Sequence, residues 1–149
     1  MSLHLARGSL VESCATPVIL ATGVQAGFVD PGACPGGGAP LIKYVAAVAG
    51  DEVDEDARAV RVNDAALPLS QPLRVHDQRV RWTPRRSRLA NGQIWLYGSH
   101  PLSWDSRYFG AVPVASVRAV LVPLWLPSGA LAHAIGVVWG ACPRGARQC

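Results

Sequence analysis

The stretch "PLIKYVAAVAGDEV" (residues 40–53) predicts a buried β-strand that ends at a Gly-Asp turn. Between Leu41 and Ala49 it holds no charged residue other than Lys43, which is the only lysine among the chain's 14 basic residues. Strand alternation places five side chains on one face: Leu41, Lys43, Val45, Ala47 and Ala49. Lys43 is therefore the first candidate for a functional residue.

The residues alone leave two interpretations of Lys43 open. In the first, its aliphatic stem packs among apolar neighbours while the amine reaches water at a strand end. In the second, the amine itself is buried, and burial disfavours the charged form of an amine and lowers its pKa, a change that a guanidinium cannot undergo. A neutral lysine near pH 7 is a general base that can take the proton of a serine hydroxyl. The second interpretation predicts Ser–Lys catalysis.

Composition favours one mainly-β domain. The chain has 149 residues, of which 50% are hydrophobic and 16% charged, so wholesale disorder is excluded. Its 12 Pro and 15 Gly interrupt it often, which favours antiparallel strands and loops over a helical bundle. Strands are predicted at 8–14, 41–49, 58–69 (a hairpin around Asn63-Asp64), 93–98 and 111–125.

Three segments are predicted to lack regular structure. Residues 22–40 are dense in Gly and Pro and are expected to be a flexible loop. The acidic segment 50–57 is predicted to be a solvated turn without calcium-binding spacing, and residues 79–90 are predicted to be a charged excursion. No helix is predicted before the C-terminal segment.

Neither end of the chain carries a clear membrane signal. Arg7 interrupts "MSLHLARGSL" before an apolar core of a secretory signal develops. Residues 119–143 contain no Asp, Glu, Lys or Arg, but Pro123 and Pro127 favour a buried strand with a short apolar helix or tail over a spanning helix. We expect a domain over 5–125 and an apolar to basic tail over 126–149.

A second informative stretch is "PLSWDSRYFGAVPVASV" (residues 101–117). If it were a strand, Ser103, Asp105 and Arg107 would share one face, close enough for an Asp–Arg ion pair. Taken alone, this stretch predicts no more than a surface hairpin with an ordinary ion pair.

Together the two stretches resemble the type I signal peptidases, and most of all the TraF-type peptidases of conjugative transfer, which mature pilin precursors. The resemblance runs from about Leu5 to Trp125. Its lysine-strand pattern matches at Lys43, Gly50 and Asp51, and its S-x-D-S-R-x-x-G pattern matches at Ser103, Asp105, Ser106, Arg107 and Gly110, followed by Val112-Pro113. "RGSLV" (7–11) and "GACPGG" (32–37) also fit, although the usual Arg-Gly-Asp is Arg7-Gly8-Ser9 here.

The resemblance implies a fold, a site and a location. The fold would be the antiparallel β domain shared by signal peptidases and LexA-type repressors. Lys43 would be the general base, Ser103 would orient its amine, and Asp105 and Arg107 would hold the segment that carries Ser103. No cofactor is implied. The substrate would be an exported precursor such as a pilin, bound as an added strand at the periplasmic face of the bacterial inner membrane.

The nucleophile is the main departure from the family pattern. In the family it belongs to an S-x-P or S-M motif that lies before the Arg-Gly strand and after a membrane anchor. Ser2 is the only serine before Arg7, and neither Ser9 nor Ser13 matches the family's nucleophile position. We therefore expect these 149 residues not to cleave peptides, which leaves a catalytically inactive, peptide-binding relative as an alternative. A self-cleaving repressor shares the dyad but would lack "SWDSRYFG" (103–110).

The cysteines allow a disulfide but no zinc site. Cys14 and Cys34 flank the Gly-rich loop and could close it with a bond worth about 3 kcal/mol, which an extracytoplasmic location would permit. Free thiols are the alternative, and pairing of Cys142 with Cys149 is weakly supported. No Cys-x-x-Cys or His-x-x-x-His occurs, so no metal is expected. "GSH" (98–100) lacks the nucleophile elbow of a Ser-His-Asp hydrolase.

One basic patch offers a different class of function. It consists of Arg79, Arg81, Arg85, Arg86 and Arg88, with Trp82 among them. With a net charge of +4, such a patch could contact nucleic acid or anionic lipid, or it could be a solvated loop. For a membrane-surface family lipid is the more natural partner, and we expect no nucleic acid.

Overall fold

The computed structural model describes residues 5–72 and 82–122. The strands within these ranges are β1 (Leu10–Ser13), β2 (Leu41–Val48), β3 (Glu52–Glu55), β4 (Val60–Val62), β5 (Ala65–Ala66), β6 (Arg85–Arg88), β7 (Gln93–Tyr97), β8 (Val112–Pro113) and β9 (Val117–Leu121). The helices are α1 (Pro17–Gln25) and α2 (Ser106–Phe109), with a 3-10 turn at Val114–Ser116.

The strands form two antiparallel sheets, so the mainly-β prediction is confirmed. The first has the order β8-β7-β2-β1-β9, and the second has the order β5-β4-β3-β6. β2, the strand that carries Lys43, lies at the centre of the first sheet between β1 and β7. A central strand has partners on both sides, which holds Lys43 in a fixed frame.

A shift of register lets β2 serve two hydrophobic cores. Val45 pairs with Leu96, but the register then slips and Ala47 pairs with Trp95. Val45 and Leu96 pack in a core completed by α1 and α2, whereas Ala47 and Trp95 pack with Val53 and other residues of the second sheet. An extra residue in one strand redirects the side chains that follow it, which is how one apolar strand joins both cores.

The predicted loop at 22–40 is wrong in its first part, because α1 occupies Pro17–Gln25. Thr16 caps the helix by accepting a hydrogen bond from the Ile19 N–H, and Pro17 takes the first helical position, where a missing N–H costs nothing. Leu20 is fully buried. The prediction missed this cap because it weighed the Gly and Pro content of the region more heavily than its apolar residues.

The rest of that segment belongs to the first core. Phe28, Val29 and Cys34 are buried, and a disulfide joins Cys34 to Cys14 immediately after β1. The segment expected to be a flexible loop is thus packed against the sheet and tied to it by a covalent bond.

The acidic turn and the charged excursion are also corrected, since they contain two paired strands. β3 and β6 lie side by side with Glu52 opposite Arg88, Asp54 opposite Arg86 and Glu55 opposite Arg85. Opposite charges across an antiparallel pair stabilise it, although each run alone has the composition of a solvated segment. Arg79 and Arg81 lie outside the described residues.

Other strand predictions are confirmed. The Asn63-Asp64 hairpin joins β4 to β5, and both turn residues have positive φ, of 48° and 69°. In the part of the chain that is described, no helix is long and apolar enough to cross a bilayer. The predictions for residues 123–149, including Cys142, Cys149 and the domain boundary, and for Ser2 lie outside the described residues.

Candidate active site

The structure brings the two informative stretches together at Lys43 and Ser103. Lys43 is 5% exposed and Ser103 is 1% exposed. The Lys43 amine donates a hydrogen bond of 2.7 Å to the Ser103 hydroxyl. The Ser103 N–H in turn donates to the His100 carbonyl at 3.0 Å, which fixes the backbone on which the hydroxyl sits. The first interpretation of Lys43, with its amine in water at a strand end, is therefore wrong.

The segment that carries Ser103 is not the predicted strand. Asp105 has an extended backbone and caps α2, accepting a hydrogen bond from the Arg107 N–H at 3.1 Å. Aspartate is among the preferred residues at a helix N-cap, which favours a short helix after Asp105 over the strand that the alternating residues predicted. Ser103, Asp105 and Arg107 still converge, because the helical turn brings Arg107 back over its own cap.

Asp105 and Arg107 form a buried, bidentate ion pair. Arg107 donates from Nε to Oδ1 at 2.9 Å and from Nη2 to Oδ2 at 2.8 Å, and neither side chain has exposed surface. Asp105 also accepts from the Gly98 N–H at 2.9 Å. Burial lowers the pKa of the Arg107 guanidinium, but the bonds and charge of Asp105 outweigh it and keep the pKa above its ordinary value.

Arg107 also ties together the chain segments around the site. It donates to the carbonyls of Gly98 at 3.0 Å, His100 at 3.2 Å and Leu69 at 3.3 Å. One guanidinium with five N–H groups can donate to several carbonyls at once, and the bond to Gly98 is buried. Arg107 therefore ties the loop that ends at Ser103 to α2 and to the segment around Leu69.

Sequence reasoning missed the aromatic support of the site. Trp104 is buried and stacks on Phe28 from the segment after α1, at 5.7 Å between ring centroids, and on Tyr108 of α2 at 5.8 Å. The side chains flanking Trp104 in sequence, Ser103 and Asp105, make the polar contacts. The available signal was a bulky apolar residue between two functional polar ones.

A second ion pair, between Glu55 of β3 and Arg85 of β6, was also missed. Glu55 is 2% exposed, and Arg85 donates to it from Nε and, at 3.5 Å, from Nη2. Arg85 also donates to the carbonyls of Ser106 at 2.8 Å and Arg107 at 3.3 Å. Burial raises the pKa of Glu55 to about 7 in spite of Arg85, and the negative charge of Asp105 adds to the increase.

Glu55 is expected to make folding stability depend on pH. Its pKa is 4.5 in the unfolded chain and about 7 when folded, so the folded state binds the proton more tightly. The stabilisation, about 3 kcal/mol, is present below pH 4.5 and is lost as pH rises through about 7. Urea unfolding of the wild type and Glu55→Gln at pH 4 and pH 8 isolates it. The difference in the free energy of unfolding between wild type and Glu55→Gln should change between pH 4 and pH 8. If both free energies change by the same amount, Glu55 is not the group responsible.

The three arginines of the basic patch that the structure describes are bonded to neighbouring groups. Arg86 pairs with Glu52, Arg85 pairs with Glu55, and Arg88 donates to the Gly50 carbonyl at 3.0 Å. Among the described residues, no group of three or more His, Cys, Asp or Glu side chains could hold a metal ion. These contacts favour a role of the arginines within the fold over a role as a contact surface.

Comparison with known proteins adds the family. The family model for signal peptidase, peptidase S26, matches residues 4–125. The plasmid transfer protein TraF of Escherichia coli is 32% identical over 105 residues, which are 67% of this chain and 58% of that protein. The conjugal transfer protein TraF of Agrobacterium tumefaciens is 32% identical over 123 residues, which are 81% of this chain and 69% of that protein.

Two further matches are a curated relative and a solved structure. A probable conjugal transfer protein TraF of Sinorhizobium fredii is 38% identical over 93 residues, covering 61% of this chain and 48% of that protein. The chain thus spans between about half and two thirds of the length of these curated relatives. The crystal structure of a signal peptidase I from Enterococcus faecalis has a TM-score of 0.48 and 20% identity, covering 82% of this chain and 100% of that one. The chain belongs to the S26 signal peptidase family and is a relative of the conjugal-transfer TraF proteins.

Proposed function

We propose that this chain carries the general base of a signal-peptidase-type serine endopeptidase, and that the base is Lys43. The observation that carries the proposal is the buried hydrogen bond of 2.7 Å between the Lys43 amine and the Ser103 hydroxyl. Burial on a central strand disfavours the ammonium form, and Ser103 fixes the direction of the amine. Membership of the S26 family supports this reading of the geometry.

The chemistry follows from a neutral amine next to a serine nucleophile. The amine takes the proton of the nucleophilic hydroxyl as its oxygen attacks the scissile carbonyl, and it then gives that proton to the leaving amine. The resulting ester is hydrolysed by a water molecule that the same amine deprotonates. Ser103 acts in this scheme as a positioning residue, and the Asp105–Arg107 pair holds its segment in place.

The nucleophile is not assigned among the described residues. Ser13 is fully buried, and its hydroxyl lies 2.9 Å from that of Ser116 and donates to the Ser116 carbonyl. Ser9 does not match the family's nucleophile position either. We therefore propose that these 149 residues alone do not cleave peptides. In the pattern of the family, the nucleophilic serine lies before the strand that matches Arg7 and Gly8.

The proposed substrate is an exported precursor, such as a conjugative pilin, bound as an added strand. The relatives are named as plasmid and conjugal transfer proteins, which supports a substrate used in conjugation, and the signal peptidase family is the reason to propose a precursor. Membership of a signal peptidase family points to an exported or membrane-associated protein. We propose that the site works at the periplasmic face of the inner membrane, an oxidising location that is compatible with the Cys14–Cys34 disulfide.

A catalytically inactive, peptide-binding relative is the second candidate. A protein that only binds peptides needs the fold and a place for the added strand, but no nucleophilic serine. The two candidates differ in what they require of Lys43: a peptidase needs a neutral amine near neutral pH, whereas a binding protein has no such requirement.

The single lysine makes this difference measurable. Biosynthetic labelling with ¹³C-lysine gives one Cε signal, whose chemical shift follows the ionisation of Lys43. We expect the folded chain to hold this amine largely neutral at pH 7.5, while the same chain unfolded in urea keeps it charged up to about pH 10. A folded signal that titrates together with the unfolded one would contradict the proposed general base.

A further inference from the structure

Arg85 is the point at which the second sheet reaches the active-site segment. It lies on β6, an edge strand of the second sheet, and its Nη2 donates to the carbonyls of Ser106 and Arg107 in α2 at 2.8 and 3.3 Å. The Ser106 carbonyl also accepts the N–H of the capping residue Gly110 at 2.8 Å, and so short a helix has no later turn to supply further donors. Arg85 therefore adds donors from the second sheet at the end of α2.

Two neighbours, Glu55 and Gly110, fix the position of the Arg85 guanidinium. Glu55, 2% exposed, accepts from Arg85 on the neighbouring strand, so the guanidinium is anchored before it reaches α2. Gly110 ends α2, and a Cβ atom added there would lie 3.4 Å from Arg85 Nη1 and 3.6 Å from its Cζ. These are ordinary van der Waals distances, so the guanidinium lies directly beside the end of the helix, where Gly110 has a positive φ of 79°.

The other end of α2 leads directly to the proposed base. Asp105 caps the helix, and two residues earlier the Ser103 hydroxyl accepts the hydrogen bond of the Lys43 amine. Between these ends, the Ser106 hydroxyl accepts from the Leu96 N–H of β7 at 2.8 Å. Hydrogen bonds thus hold the short helix at both ends: those of Asp105 with Arg107 at its start, and those from Arg85 at its end.

We propose that Arg85, anchored by Glu55, is a positioning residue for the Lys43–Ser103 pair. It acts through α2: by fixing the end of the helix from the second sheet, it sets the place of Ser103 and keeps the Lys43 amine out of water. The inference rests on the proposed function of Lys43, and it gives the second sheet a role in the chemistry of the first.

The test uses the single-lysine signal in the full chain. Arg85→Met removes every donor but keeps the packing of the stem, and Glu55→Gln added to it leaves no unpaired buried charge. A matched control is Arg86→Met with Glu52→Gln, an ion pair on the same two strands that is more exposed. We expect the first double variant to move the midpoint of the Lys43 titration upwards by about one pH unit, since water then reaches the amine. The control should not move it.

Each outcome has a separate meaning. If the Arg85 variants lose stability but the Lys43 midpoint stays that of the wild type, Arg85 is only structural and the inference is overturned. If the control moves the midpoint equally, the effect is a general one of the second sheet, and the assignment to Arg85 is overturned. If wild-type Lys43 already titrates like the unfolded chain, the proposed function fails and the inference falls with it. Urea unfolding of each variant confirms that the titrated protein is folded.

Discussion

Replacement of Arg107 by methionine is expected to lower the free energy of unfolding by about 3–5 kcal/mol. Asp105 and Arg107 have no exposed side-chain surface, and removal of the arginine leaves a buried carboxylate without its counterion. The carbonyls of Gly98, His100 and Leu69 also lose a donor. Two costs therefore add: an unpaired charge and the loss of donors to these carbonyls, of which the bond to Gly98 is buried.

The matched comparison is Arg86→Met. Arg86 also pairs with a carboxylate, that of Glu52, but the two side chains are 63% and 31% exposed. Water and salt screen such a pair, so its loss should cost about 1 kcal/mol or less. Urea unfolding of the two variants at pH 7 measures both values. Equal losses would show that the buried pair contributes no more than a surface pair.

A double variant separates the effect of the unpaired Asp105 charge from that of the lost carbonyl contacts of Arg107. Asp105→Leu with Arg107→Met removes both charges, and a buried ion pair replaced by apolar side chains is often tolerated. We expect the double variant to recover part of the stability that Arg107→Met loses, because the lone carboxylate is gone. If it recovers none, the carbonyl contacts of Arg107 account for the loss and the ion pair is secondary.

The strands that the sequence predicts well are those whose signal is local. β2 follows from an apolar run that a Gly-Asp turn ends, and the β4–β5 hairpin follows from Asn63-Asp64 between alternating residues. In both cases the residues that specify the element are inside it or next to it. Local periodicity is sufficient under that condition.

The elements that the sequence misses depend on partners far along the chain. β3 and β6 are strands because acidic residues at 52–55 meet arginines at 85–88, and neither run shows this by itself. α1 and α2 are short helices whose caps, Thr16 and Asp105, were visible but were outweighed by Gly and Pro content and by apparent alternation. Capping residues are therefore the signal to weigh more heavily in such segments.

The candidate site also contains residues that the sequence predicts and residues that it misses. The residue type and its apolar surroundings identified Lys43, and the resemblance to the signal peptidases added Ser103, Asp105 and Arg107. The structure places them in two hydrogen-bonded pairs, Lys43 with Ser103 and Asp105 with Arg107. The Glu55–Arg85 pair was not found, because a charged residue in a charged run gives no sign that it is buried. Only the pairing of two strands, thirty residues apart, puts Glu55 inside.

Replacement of Lys43 by methionine is expected to abolish peptide cleavage, with a loss of at least about 10³-fold, in a chain that contains the nucleophile. A suitable chain is a chimaera in which a segment from a TraF relative that contains the family's S-x-P or S-M motif precedes Arg7. The assay is cleavage of a pilin-type precursor, followed by mass spectrometry. The 149 residues alone should give no product, and product from them that disappears on Lys43→Met would contradict that expectation and place the nucleophile within this chain.

Lys43→Arg is the control for charge. An arginine keeps the positive charge but cannot lose a proton in a protein, so it should be as inactive as methionine if Lys43 is a base. Substantial cleavage by Lys43→Arg would mean that the charge is what matters and would overturn the general base. Stability gives an independent check, because burying an amine is costly and methionine fills a similar volume. The free energy of unfolding of Lys43→Met should therefore stay the same or rise while activity is lost, as expected of a residue kept for chemistry at the expense of stability.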